Sequence, residues 1–203
     1  MSTISKPRFR AVDITFVGMF AALMAIGANI TSWAPFLQVA NIPLSMQPFF
    51  AILAGLLLGS RLGAISMTVY MLIGMAGAPV FAQFSAGISP IFGGSGGFIL
   101  SYIATAFIVG KIVESKSKPA LTTFMIASFA GITTIYFIGT NYMYFAYNLW
   151  LDFDMGYATA WKVMAWFAVK DIMFTIFGAL IAPRIYHTIK RTSRISSIQT
   201  KAS

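Results

Sequence analysis

Residues 14–110 read ITFVGMFAALMAIGANITSWAPFLQVANIPLSMQPFFAILAGLLLGSRLGAISMTVYMLIGMAGAPVFAQFSAGISPIFGGSGGFILSYIATAFIVG, and Arg61 is the one charged side chain among them. A water-soluble domain keeps roughly a quarter of its residues charged and spreads them over its whole surface. A stretch this long with a single charge is built for lipid. The rest of the chain agrees, with 58% hydrophobic and 9% charged residues and a mean hydropathy of +0.81 over 203 residues. In a bilayer every buried backbone amide must be paired within its own helix or in a closed barrel. The runs here are continuous rather than alternating, which selects helices. The expected fold class is an all-α integral membrane protein, one membrane domain over residues 1–203.

At about 20 residues per crossing, the chain accommodates six transmembrane helices, expected at 14–33, 47–60, 63–77, 98–113, 119–142 and 163–186. Trp33-Ala34-Pro35 closes the first, and a turn-rich connection through Asn41, Pro43 and Pro48 leads to the second, which is short. Ser60-Arg61-Leu62-Gly63 forms a basic turn, and Gly77-Ala78-Pro79 ends the third run. Residues 80–97 are apolar yet broken by Pro90 and by Gly93-Gly94-Ser95-Gly96-Gly97, so this segment folds back on the protein as a lid. Pro119 suits the first turn of the fifth helix. An aromatic connection, 144–162, carries Asp152 and Asp154.

Six spans put all of the 14 basic residues except Lys162 and Lys170 on one side, in the Lys6-Arg8-Arg10 tail, the Arg61 turn, the Lys111 to Lys118 loop and the C-terminal tail. The positive-inside rule makes that side, with both termini, cytoplasmic. The basic residues lie in short flanks rather than along one face, so the net charge of +9 marks topology and not nucleic acid. With no cysteine and one histidine, neither disulfides nor a metal site is expected, and five acidic residues leave little for a catalytic set. The glycine cluster lacks the Lys-Ser/Thr of a phosphate loop.

Chemistry concentrates at Lys170 and Asp171, adjacent opposite charges in the last span. Two readings are open: the pair faces a cavity or partner, as intramembrane ionisable residues usually do, or it snorkels to the outer interface. Neighbours in a helix point about 100° apart, so one pocket need not hold both. Pro43 to Gln47 and Gln83 offer uncharged hydrogen-bonding groups on the same outer side and, with a pocket under Asp171, suit an amide-like or urea-like solute. Tyr142, Tyr144, Tyr147, Trp150, Trp161 and Trp166 crowd that end, where aromatic belts are ordinary, and one or two of them are open to a second role in lining a ligand. In the first span, Gly18, Ala21, Ala22, Ala25 and Ala28 form a strip of small residues, either for close packing inside the bundle or for docking a second membrane protein.

Taken together these residues resemble the BioY family, the biotin-binding S components of energy-coupling factor (ECF) transporters. The resemblance runs from the first span to the last. It is most specific at Ile42-Pro43-Leu44-Ser45-Met46-Gln47 and at Leu53-Ala54-Gly55-Leu56-Leu57-Leu58-Gly59-Ser60-Arg61-Leu62-Gly63-Ala64. It continues through Tyr70-Met71-Leu72-Ile73-Gly74, Gly77-Ala78-Pro79-Val80-Phe81-Ala82 and the glycine cluster with Phe98. It implies an S-component bundle in the cell membrane that takes up biotin and is not an enzyme. No cofactor is implied: ATP is consumed by two partner ATPase subunits, and Ala21 and Ala25 contact the energy-coupling transmembrane subunit. It also implies that Asp171 hydrogen-bonds the ureido group. The lysine that many members carry three residues later is Phe174 here, and Lys170 replaces it by charge only. The implied ligand set is Asp171, Lys170, Gln47, Gln83, Gly96, Gly97, Tyr144, Asn148 and Trp166. An S component for another vitamin, a standalone channel or carrier, and an intramembrane enzyme are the alternatives.

Overall fold

The computed structural model describes residues 10–32, 38–39, 42–43 and 45–202, with side chains at 10–30, 32 and 45–190. Lys6, Arg8, Trp33-Ala34-Pro35, Asn41 and Leu44 lie outside the described residues, as do the side chains of Arg191, Arg194 and Lys201. Helix α1 (Ala11–Asn29) starts earlier than expected because the Asp13 carboxylate accepts the Arg10 backbone N–H at 3.0 Å, one half of a capping box. A short 3₁₀ turn, Ile30–Ser32, follows. In the connection beyond it, β1 (Gln38–Val39) and β2 (Ile42–Pro43) pair antiparallel with Val39 opposite Ile42. The fold is all-helical as expected, with this ribbon as a local feature of one connection; two residues per strand are too few for periodicity to signal.

The next helix, α2 (Gln47–Met75), is unbroken in its residue count but bent at Gly59, where φ is 83° and ψ −178°. Its two arms fold back on each other. The proof is a hydrogen bond from Gln47 Nε2 to Tyr70 Oη at 2.9 Å, between residues that a straight helix would hold about 35 Å apart. Residues with a side chain do not adopt the Gly59 backbone without large strain. Beside the bend the Glu114 carboxylate accepts Ser60 N at 2.9 Å and Ser60 Oγ at 2.7 Å, capping the first turn of the second arm.

Among the described residues five helices, α1, α2, α4 (Gly96–Glu114), α5 (Leu121–Leu149) and α6 (Tyr157–Ala202), are long and apolar enough to cross a membrane, where six spans were expected. The difference is α2, whose arms coincide with the expected second and third spans. A four-residue helix, α3 (Ser89–Phe92), interrupts the fold-back segment. Other boundaries moved for local reasons. Pro119 lies just ahead of α5 rather than in its first turn. The aromatic run through Tyr144 and Tyr147 holds no helix breaker, so α5 continues to Leu149 and the expected 144–162 connection shrinks to 150–156.

The first arm of α2 is the centre of the bundle: Ala51, Ala54 and Leu56 are fully buried. That is why so short a segment is apolar all round. Helix α4 crosses it closely, since Gly55 faces the Ala106 carbonyl and Gly110 backs onto the Gly59–Ser60 backbone with no room for a Cβ. On the outside, Val169, Met173, Phe177 and Leu180 of α6 are exposed apolar side chains, as lipid contact requires.

Candidate functional site

The end of the bundle opposite the Gly59 bend encloses a cavity of about 600 Å³, within the usual size of small-molecule sites. Each wall follows from a helical repeat. Helix α6 presents Met164, Phe167 and Asp171, spaced one face apart, with Lys170 beside them; α5 presents Tyr136, Met143 and Tyr147; the start of α4 presents Phe98 and Tyr102. Ser45, Gln47 and the 81–95 segment close the top.

Asp171 is the polar centre, with 5% of its surface exposed. Its Oδ2 accepts the Tyr136 hydroxyl at 2.7 Å, and its Oδ1 lies 2.7 Å from Lys170 Nζ. Lys170 Nζ also donates to the Ser45 carbonyl. The sequence reading allowed the two charges to diverge; the structure brings both to one cavity, because the long lysine stem swings back to its neighbour. The pair cancels its own charge, which a site in apolar surroundings requires. It is not saturated. A carboxylate has about four acceptor positions and an ammonium three donors, so both keep capacity for a ligand that offers N–H donors and an acceptor oxygen. Gln47 is buried, and its Nε2 donates to Tyr70 Oη, which donates to Val80 O at 3.1 Å.

The expected ligand set divides. Asp171, Lys170, Gln47 and Gln83 line the cavity together. Gly96 and Gly97 do not; they begin α4, and side chains there would overlap the Ile91 carbonyl and the Tyr142 ring. Their neighbours Gly93, Gly94 and Ser95 form the lining instead. Tyr144 packs on Tyr157 with ring centroids 5.2 Å apart, and Asn148 bonds the Tyr144 and Met155 carbonyls, fastening the α5–α6 connection. Trp166 is 73% exposed on the outer face of α6. The reading missed Tyr102, Tyr136 and Phe167, while Ser45 falls in the Pro43 to Gln47 turn that it placed on the ligand side. Only Tyr136 had an available signal, as a hydroxyl in the middle of an apolar span.

The small-residue strip of α1 also divides. Val17, Phe20, Ala21, Met24 and Ala28 face inward, and Ala21 is 5% exposed. Gly18 and Ala22 lie outward with Ala25 at their edge. Ala21 was expected on the docking surface; it is part of the core, because the large Phe20 and Met24 set which face α1 buries.

A model of the BioY family matches residues 2–191. The chain belongs to the BioY family. It is 56% identical over 190 residues to a putative biotin transporter BioYB of Bacillus subtilis (strain 168), covering 94% of this chain and 95% of that one. A probable biotin transporter BioY of Pyrococcus horikoshii is 34% identical over 177 residues, covering 87% and 97%. Among solved structures, the crystal structure of the S-component for biotin from an ECF-type ABC transporter superposes with a TM-score of 0.69 at 21% identity, covering 91% and 94%. At that identity the likeness carries the fold, an ECF S-component bundle. With its spanning helices, this BioY member is a multi-pass membrane protein.

Proposed function

We propose that this chain is the substrate-specific S component of an ECF-type uptake transporter of the cell membrane, binding biotin in the cavity around Asp171. The observation that carries the reading is the half-used Lys170–Asp171–Tyr136 cluster in the wall of a mainly apolar cavity. Asp171 Oδ atoms accept ureido N–H groups, and Lys170, held at the mouth by Ser45, supplies a cation for the ligand's carboxylate or carbonyl oxygen. Shape and a few hydrogen bonds select the bicyclic head, while Phe98, Met143, Met164 and Phe167 enclose its apolar faces. The chain performs no chemistry on the ligand; ATP is hydrolysed by two ATPase subunits joined through a transmembrane coupling subunit. That subunit docks on the outward strip of α1, at Gly18, Ala22 and Ala25.

The α2 hairpin supports a six-span topology with both termini cytoplasmic. Glu114 joined to Ser60 gathers Arg61 and Lys111 at the end away from the cavity, which the positive-inside rule assigns to the cytoplasm. The cavity then opens outward. Because the chain contains no cysteine, single cysteines at Arg61 and Asp152 should label from opposite sides of the membrane; labelling from the same side overturns the topology.

Titration of the purified protein with biotin, in competition with other vitamins, tests the function. Binding tighter than about micromolar, equivalent to about 8 kcal/mol, is expected for biotin alone; preference for another vitamin moves the chain to a different S-component specificity. Ala25→Trp should abolish co-purification with the coupling subunit and leave biotin binding intact; retention of the complex would place docking elsewhere.

A further inference from the structure

The 81–85 segment contains two successive side-chain-bearing residues in the left-handed backbone region, Gln83 at φ 57°, ψ 34° and Phe84 at φ 54°. A Cβ disfavours that region, so such a turn persists only where its surroundings hold it. Three sets of contacts do so here. Phe81 anchors one side, buried edge-on to Tyr70 with centroids 5.6 Å apart. Within the turn, Phe81 N donates to Ser85 O at 3.1 Å and Ser85 Oγ to Ala82 O at 2.7 Å.

The third comes from α1. Asn29, its last residue, is 3% exposed and outside the cavity lining. Its Oδ1 accepts the Phe84 backbone N–H at 2.7 Å, while its Nδ2 donates to Ala25 O at 3.0 Å and Val80 O at 3.4 Å. The bond to Phe84 N fixes the peptide plane between Gln83 and Phe84. That plane sets ψ of Gln83 and φ of Phe84, the angles that make the turn unusual, and so sets the placement of Gln83, an exposed residue that lines the cavity.

We propose that Asn29 is a positioning residue for ligand binding: it holds the left-handed turn that aims Gln83 at the ligand, and it determines affinity without touching the ligand. The proposal rests on the reading of the cavity as the biotin site. It makes α1 the support of the ligand pocket as well as a wall of the bundle. Through Val80 O the same amide also reaches Tyr70 and Gln47, so the test must separate the two glutamines.

The experiment compares Asn29→Leu, Phe84→Gly, Gln83→Ala and the doubles Asn29→Leu/Phe84→Gly and Asn29→Leu/Gln83→Ala. Each is read by biotin titration and by hydrogen exchange at the Phe84 amide without ligand. Asn29→Leu is expected to weaken binding about tenfold, the scale of one buried hydrogen bond, and to deprotect Phe84. Glycine takes the left-handed conformation freely, so Phe84→Gly alone should bind within about twofold of wild type and should recover most of the loss when added to Asn29→Leu. If Asn29 acts through Gln83, Asn29→Leu should add no more than about twofold to Gln83→Ala. Wild-type affinity in Asn29→Leu, full additivity with Gln83→Ala, or no recovery by Phe84→Gly overturns the proposal. Should Asn29→Leu fail to fold, Asn29→Asp keeps the acceptor for Phe84; a tenfold loss with Phe84 still protected overturns it, and near-normal binding with protection sustains it. If the wild type does not bind biotin, the biotin reading falls and takes with it the claim that Asn29 sets affinity; hydrogen exchange then still tests the turn, and unchanged protection of Phe84 in Asn29→Leu overturns the support assigned to Asn29 as well.

Discussion

The two ends of the α2 hairpin are held together by opposite means. At the bend, Gly59, Gly110 and Gly55 bring backbones into contact, and both oxygens of the Glu114 carboxylate are taken up in capping Ser60. At the open end, Gln47, Tyr70, Lys170, Asp171 and Tyr136 meet through side-chain hydrogen bonds around a cavity, and several retain unused donors or acceptors. Close packing without vacant polar groups gives stability. Partly satisfied polar groups beside a void give recognition. The contrast assigns folding to one end of the molecule and ligand binding to the other.

The sharpest way to break this contrast is at the bend. Gly59→Val should cost at least about 3 kcal/mol, since the backbone there is essentially confined to glycine and a Cβ would displace Glu114. The expected result in a thermal melt is a large loss of folded protein, while the fraction that remains folded binds biotin with unchanged affinity. A fall in affinity at full stability would show that the bend is part of the binding site. Next in size is Asp171→Ala, which removes a buried acceptor and should weaken biotin by about 1 to 3 kcal/mol. Calorimetric titration reads it directly, and an unaltered affinity would relocate the site. A smaller effect, about 1 kcal/mol, is expected in the melting of Glu114→Gln, which keeps the shape of the Ser60 cap and removes its charge; biotin affinity should stay constant. Smallest of all is Trp166→Ala. The side chain faces outward from α6, so binding should shift by less than about 0.5 kcal/mol, the ordinary range for a change away from special features. A larger loss would bring Trp166 back into the ligand set.

Much of this contrast was legible beforehand, but unevenly. The bend was marked by Gly59-Ser60-Arg61 between two apolar runs, and the expected spans 47–60 and 63–77 coincide with the two arms. Their hairpin geometry was not legible, since it depends on Glu114, which lies 54 positions from Ser60 and reads in sequence as one more charge in a basic loop. In the cavity, Asp171 stood out because an ionisable group in an apolar run is costly, and Gln47 as an uncharged hydrogen-bonding group of a turn on the same side. Tyr102 and Phe167 did not, because an aromatic residue in a spanning helix has the same appearance whether it meets lipid, core or ligand. Trp166 shows the converse: it sits among the right neighbours in sequence and on the wrong face of its helix.

The sequence by itself determined the solvent, the helical class, the number of apolar runs and the family, because each follows from composition, from local order or from motifs that read in one dimension. Tertiary structure decided which face each helix presents. It put Ala21 in the core and Ala22 outside, turned Lys170 back onto Asp171, and set Asn29 under a turn that it does not adjoin in sequence. The physical reason is that lipid and protein interior are nearly equal solvents for an apolar side chain, so hydropathy that separates inside from outside in a soluble protein carries little of that information here. Only close packing and hydrogen bonds between distant segments distinguish the two.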